Sequence, residues 1–385
     1  MNSYIKFFII FLFVSCSTTQ ERSNCIVIDT QKSYPKIQLN IKDIANIEYI
    51  KLETDTNCIV NSRPMVYSEN YLVLLRTDNG EIVFFDHQGK FQHKFSHKGN
   101  GPHEYLYITN LRMDEEKKEV YIHDSFKEKV FVYDLEGNYI REYSSHLIKF
   151  LYTWNPNEFI TYNVNMDSNN TDEKPYYALI SKENGSIEKL IDLPYTFIRA
   201  HDLSVKIKTP EGTLVYTDMH LPMIKCSDGY VLNDLSSDTI YKLFPDNKLD
   251  IFMVRTPSVS STDNPTYLQY GGETNEYLFL RFVSINKEDE KNMFPSSYLV
   301  YNKNDKSISE YELVNEDYSD MEIKIESDLF NGDFYGYGLR RLHTDELLEA
   351  LKKNELSGNL KKITMTLNED DNDVIMVLKI NQEKK

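Results

Sequence analysis

A chain of 385 residues carries 60 acidic side chains against 43 Lys and Arg, a net charge of −17 at pH 7. That balance disfavours nucleic acid or an anionic bilayer face as a partner. Hydrophobic residues make up 41% and charged residues 27%, with only 14 Gly and 12 Pro, so the composition is that of a folded protein rather than a disordered or collagen-like one. The 28 Tyr and 20 Phe favour strands with half-buried surfaces.

The first residues read as an address. Lys6 is the single positive charge ahead of an unbroken apolar run over residues 7–14. A run that short cannot span a bilayer, which needs about 20 residues, but it suits the core of a secretory signal. Ser15-Cys16 follows directly and resembles the lipobox of bacterial lipoproteins, with Phe13 in place of the usual Leu. The resemblance implies cleavage after residue 15, acylation of Cys16 and attachment to a membrane through that anchor, since several acyl chains hold where one is marginal. Residues 16–42 then read as the lipidated Cys and a tether. Of the other cysteines, Cys25 and Cys58 could bridge in an oxidising envelope, although no spacing demands it. Three unpaired thiols with Cys226 is the alternative, and no Cys-x-x-Cys occurs.

From residue 47 onward the apolar period is two. Strands are expected over 71–75, 81–86 and 90–95, with turn signals at 77–80 and 87–89. The set recurs over 119–124, 129–134 and 139–143, so residues 85–91 align with 133–139. A repeat of this length built from short antiparallel strands means propeller blades. Fainter copies cover 158–162, 176–181 and 187–193; 229–233, 239–244 and 249–254; and 277–283, 297–302 and 307–313. A sixth has only 333–339 and 373–380, and residues 47–53 supply its missing strand, which removes an open sheet edge. One helix is expected, capped by Thr344, with an apolar stripe of Leu347, Leu348 and Leu351 and a stop at Ser357-Gly358. Segments 163–173 and 286–292 read as polar insertions. The expectation is all-β: residues 43–385 form a single six-bladed β-propeller with one inserted C-terminal helix, closed by strands from both termini.

The stretch Gly99-Asn100-Gly101-Pro102-His103-Glu104-Tyr105, with Phe84-Phe85-Asp86 and Gly89-Lys90-Phe91 before it, resembles the signature of the six-bladed β-propeller lipoproteins of Bacteroides-type bacteria. His103 stands where that family usually has Gly. Residues 367–376 resemble its closing segment. The likeness spans residues 47–380 and extends distantly to NHL-repeat propellers. It implies fold and an envelope location, and says little about activity.

Two readings of the loop stay open. Gly99, Gly101, Pro102, Glu104 and Tyr105 either offer free amides to an anionic or carbonyl ligand, with positive φ at the glycines, or make a tight blade connection. In the second case Glu104 accepts backbone N–H groups and Tyr105 packs between blades. His93, His97 and His103 are close in sequence but are expected on a solvated outer edge rather than around a metal. The acids at 368–373 lack calcium-loop spacing. Candidates facing the central channel are His123, Asp124, Arg199, His201, Asp202 and Arg281. No His-Glu-x-x-His or Gly-x-Ser-x-Gly occurs, and neither metal nor cofactor is expected. The preferred reading is a non-catalytic envelope propeller that binds a protein or carbohydrate on a ring face or in the funnel. The alternative is a lactonase-like hydrolase or lyase with metal-binding axial carboxylates.

Overall fold

A computed structural model describes residues 25–380 except 63, 146, 147, 149, 164–175, 195–202, 211, 219, 236, 290, 320–322 and 326–335. Cys16, Arg199, His201 and Asp202 therefore lie outside the described residues, as do most of the expected insertion 163–173 and residues 333–335 of the expected sixth-blade strand.

Six antiparallel sheets stand around one axis. Blade 1 comprises Val66–Tyr67, Leu72–Arg76, Glu81–Phe85 and Phe91–Phe95, and blade 2 comprises Asn110–Asp114, Glu119–Asp124, Lys129–Asp134 and Tyr139–Ser144. Blade 3 comprises Phe150–Thr153, Glu158–Asn163, Tyr176–Ser181 and Ile187–Ile191. Met223–Cys226, Gly229–Leu232, Thr239–Leu243 and Leu249–Thr256 form blade 4. Blade 5 is Tyr267–Glu273, Tyr277–Val283, Ser296–Asn302 and Ile308–Val314. Blade 6 is Tyr337–Leu342, Val374–Ile380 and, from the other end of the chain, Ala45–Lys51.

Each blade is buried on both faces, which is why the centres of its middle strands are continuous apolar runs. Leu72 and Leu74 pack towards blade 6, with Ile375 and Val377. Val73 and Leu75 turn the other way, onto Leu111, Val120 and Ile122 of blade 2. Tyr121, between Val120 and Ile122, meets Leu151 and Phe159 of blade 3. Successive residues of one strand thus serve two interfaces.

The innermost strands of blades 1 to 5 were not expected; the shortest, Val66–Tyr67, is only two residues. The tether is also corrected. Ile26–Asp29 pairs in parallel with Leu249–Thr256, and Lys36–Asn40 with Ile308–Val314. The outer edges of blades 4 and 5 would otherwise present unpaired backbone groups, and these two segments satisfy them. Two helices replace the single one. Thr344–Lys352 ends where Asn354 adopts φ 61°, and Gly358–Thr364 begins at the glycine read as a stop. Thr344 is the first helical residue rather than the cap: its amide donates to Asp373 Oδ1 at 2.8 Å. Among the described residues no helix is long and apolar enough to cross a membrane.

Strands alternate in direction, so the connectors between blades share one face with the turns joining second and third strands. On this connector face a hairpin, Leu203–Thr209 with Gly212–Asp218, stands between blades 3 and 4. The two longer helices lie on the connector face as well: Ser357 donates through its hydroxyl to Glu316 O (2.7 Å) and through its amide to Asp317 O (3.0 Å), in the segment leaving blade 5.

Candidate functional site

The connector face of blade 2 gathers most of the expected site residues. Asp124, fully buried, ends the second strand. Its Oδ2 accepts the amides of Leu106 (2.6 Å) and Tyr107 (3.3 Å), and its Oδ1 those of Phe126 (2.9 Å) and Lys127 (3.1 Å). One carboxylate thus joins the connector entering blade 2 to the turn leaving its second strand. The Lys127 ammonium continues the tie, donating to the carbonyls of Gly99 (3.2 Å), Gly101 (3.2 Å) and Glu104 (2.5 Å).

The glycine loop is closed on itself. Glu104 Oε2 accepts the Gly101 amide at 2.7 Å. A Cβ on Gly99 would lie 2.1 Å from that oxygen, and one on Gly101 would lie 2.8 Å from it. Neither glycine has a positive φ, so the expectation of left-handed backbone is corrected: glycine is needed there for close approach of the Glu104 carboxylate. Pro102 is exposed in the turn that follows Gly101. Tyr105 is fully buried between blades 1 and 2. Its hydroxyl donates to Gly80 O (2.7 Å) and accepts from the His97 amide (3.0 Å), and burial pushes its pKa up.

The three histidines do not converge. His93 Nε2 bonds Leu135 O at 2.8 Å and its ring stacks on Phe84. His97 Nε2 bonds Gly137 O at 2.7 Å and its ring stacks on Tyr133. A carbonyl only accepts, so in both rings Nε2 carries the proton. These two staple the outer strand of blade 1 to blade 2, while His103 stacks on Tyr139 at the rim. Among the described residues no group of three His, Cys, Asp or Glu could hold a metal ion. Cys25, Cys58 and Cys226 are free thiols.

His123 is on the second strand of blade 2, directly paired with Asn110 of the innermost strand. It is 1% exposed, and neither ring nitrogen has a hydrogen-bond partner; Asn110 Oδ1 is likewise buried without one. Desolvation lowers its pKa to about 4, against the opposing pull of the Asp124 charge. Arg281 is far from both, in blade 5. Its guanidinium holds Asp218 through two bonds of 3.0 and 2.7 Å, and also bonds Gln269 Oε1 (3.1 Å) and Ser296 Oγ. It clamps the base of the connector-face hairpin to blade 5.

Sequence reasoning missed two features of this face. Asn233 and Asp234 follow the second strand of blade 4, in the place His123 and Asp124 hold in blade 2. Asn233 bridges to blade 5 through Tyr270 N (2.6 Å), and Asp234 accepts from Tyr162 at 2.7 Å. Aligning the strand ends would have found them. The second is an exposed aromatic pair, Tyr107 and Phe126. Its signal was a Phe in a tight turn, where small polar residues and Gly are usual.

Residues 25–379 match the sequence profile of the domain of unknown function DUF4934. The chain belongs to that family. A solved structure of a candidate exported protein from Bacteroides fragilis shares its fold, with a TM-score of 0.62 at 16% identity, covering 93% of this chain and 100% of that one. A DUF4221 member from Bacteroides vulgatus is more distant: TM-score 0.45, 11% identity, with 88% and 97% covered. A virginiamycin B lyase from Staphylococcus aureus, solved with quinupristin, reaches only 0.35 at 14% identity, with 69% and 88% covered, too little for any comparison of sites. No curated protein matches the chain.

Proposed function

We propose that this member of the family is a lipid-anchored protein of the bacterial cell envelope whose propeller binds a ligand or protein partner on its connector face without covalent chemistry. One contrast carries the binding part. Three of the described carboxylates there are spent on structure: Asp124 on four amides, Glu104 on Gly101, and Asp218 on Arg281. The imidazole of His123, which has no bond, is sealed from solvent. Aromatic rings on the same face are instead left in water. A catalyst needs the reverse, a titrating group within reach of a substrate, whereas exposed rigid aromatics suit recognition.

The anchoring part is supported by Lys6, the apolar run 7–14 and Ser15-Cys16. The exported character attributed to the Bacteroides fragilis neighbour agrees with it. The test is to express the full chain and its Cys16→Ser variant, label both with a palmitate analogue and fractionate the cells. Wild type should carry label and sediment with membranes. A Cys16→Ser form that keeps both properties refutes the anchor. For the binding half, cross-linking in intact envelopes should capture a specific component, and turnover of a lactone or ester panel by the purified protein would overturn the non-catalytic reading.

A further inference from the structure

Tyr107 and Phe126 leave 56% and 74% of their surface in solvent, and Leu106 beside them 37%. Large apolar rings are ordinarily drawn into the core, so a paired exposure is informative where a single one is not. The rings meet edge to face, centroids 5.9 Å apart and planes at 86°. They are held rather than loose. Asp124 fixes the amides of Leu106, Tyr107 and Phe126. The Thr109 hydroxyl bonds that of Ser125 at 2.8 Å and accepts the Ser125 amide at 3.1 Å, locking the two segments together. A site already in its bound shape loses little entropy on binding.

Three properties select the occupant. Area is the first: two rings and part of a leucine offer on the order of 300 Å², against roughly 800 Å² per partner in a stable protein interface. The second is polarity. The π-face of a ring is electronegative and suits the C–H face of a sugar, and the exposed Thr109 and Ser125 hydroxyls lie alongside for its hydroxyls. Ser125 accepts from Thr109 and keeps its own proton to donate. The third is charge, since a chain at −17 repels anions.

We infer that the Tyr107–Phe126 corner is a stacking site for a neutral sugar ring, one unit of a glycan. This rests on the binding reading and narrows it to a ligand class. The test uses the full-length protein in a detergent without a sugar headgroup, titrated calorimetrically with maltohexaose, cellohexaose, xylohexaose and mannohexaose. At least one should bind. Phe126→Ala should weaken it by about tenfold, the size expected for one lost ring stack. Phe126→Tyr should keep it, and neither variant should change the melting temperature, because the ring supports no core. Binding that ignores Phe126→Ala overturns the site and leaves the binding function standing. If no hexaose binds while envelope cross-linking still yields a partner that Phe126→Ala abolishes, the partner is a protein and the sugar class is wrong. If neither sugar nor partner is found, the inference and the binding function fall together.

Discussion

Replacing Asp124 with asparagine should cost about 4 kcal/mol of folding free energy, because each bond to a charged acceptor is worth roughly 1.5–3 kcal/mol. The buried carboxylate takes four amides, two on each oxygen. Asparagine keeps the shape but turns one oxygen into an NH2 that faces two N–H donors. Two bonds are lost outright and the other two lose their charge. Unfolding entropy of ~2.1 cal/mol/K per residue over a propeller of this size converts the loss into a melting shift of about 5 °C. Urea unfolding and calorimetry measure the sum. Hydrogen exchange locates it, because the amides of Leu106, Tyr107, Phe126 and Lys127 should lose protection selectively. A cost below about 1 kcal/mol, or unchanged exchange at those four amides, would refute the clamp.

Other perturbations probe the same framework. Gly99→Ala drives a Cβ into the Glu104 carboxylate and should destabilise by about 1–3 kcal/mol. Adding Glu104→Ala should recover part of that in a double-mutant cycle of urea midpoints, and strict additivity would sink the contact. Arg281→Ala strands Asp218 as a buried charge and should cost about 3–5 kcal/mol; proteolysis should then begin at the 203–218 hairpin, and an intact hairpin would speak against the clamp. His123 has a folded pKa lowered to about 4 from 6.5. The unfolded chain therefore binds the proton first, and stability should fall as pH drops from about 6.5 towards 4, by about 3 kcal/mol at most. His123→Leu should flatten that part of the stability–pH curve, and an unchanged slope would mean the imidazole titrates normally.

The glycine loop and the histidines show where residue-level reading was sufficient. Of the two alternatives for residues 99–105, the blade connection named Glu104 as an acceptor and Tyr105 as an interblade plug, and the structure has Glu104 on the Gly101 amide and Tyr105 between blades 1 and 2. The role of the glycines was misread because closeness to a side chain three or five residues on leaves no mark in local pattern. His123 and Asp124 were noted together, yet they have opposite surroundings. Alternation along a strand sends Asp124 to the connector loop and His123 into a packed interface, and only the packing reveals which side holds partners.

What the sequence determined alone was the repeat and hence the ring. The middle strands of a blade are buried on both faces, so runs such as 71–75 and 120–122 must be apolar throughout, and turn residues must punctuate them. Those are local requirements, written locally. The pairing of Ile26–Asp29 with blade 4 and of Lys36–Asn40 with blade 5 was decided only by tertiary structure. These strands bond to edges more than 200 residues away, as Thr30 does to Thr256. Nothing in a strand of four or five residues specifies which open edge it meets; that follows from where the closed ring leaves hydrogen-bonding groups unpaired.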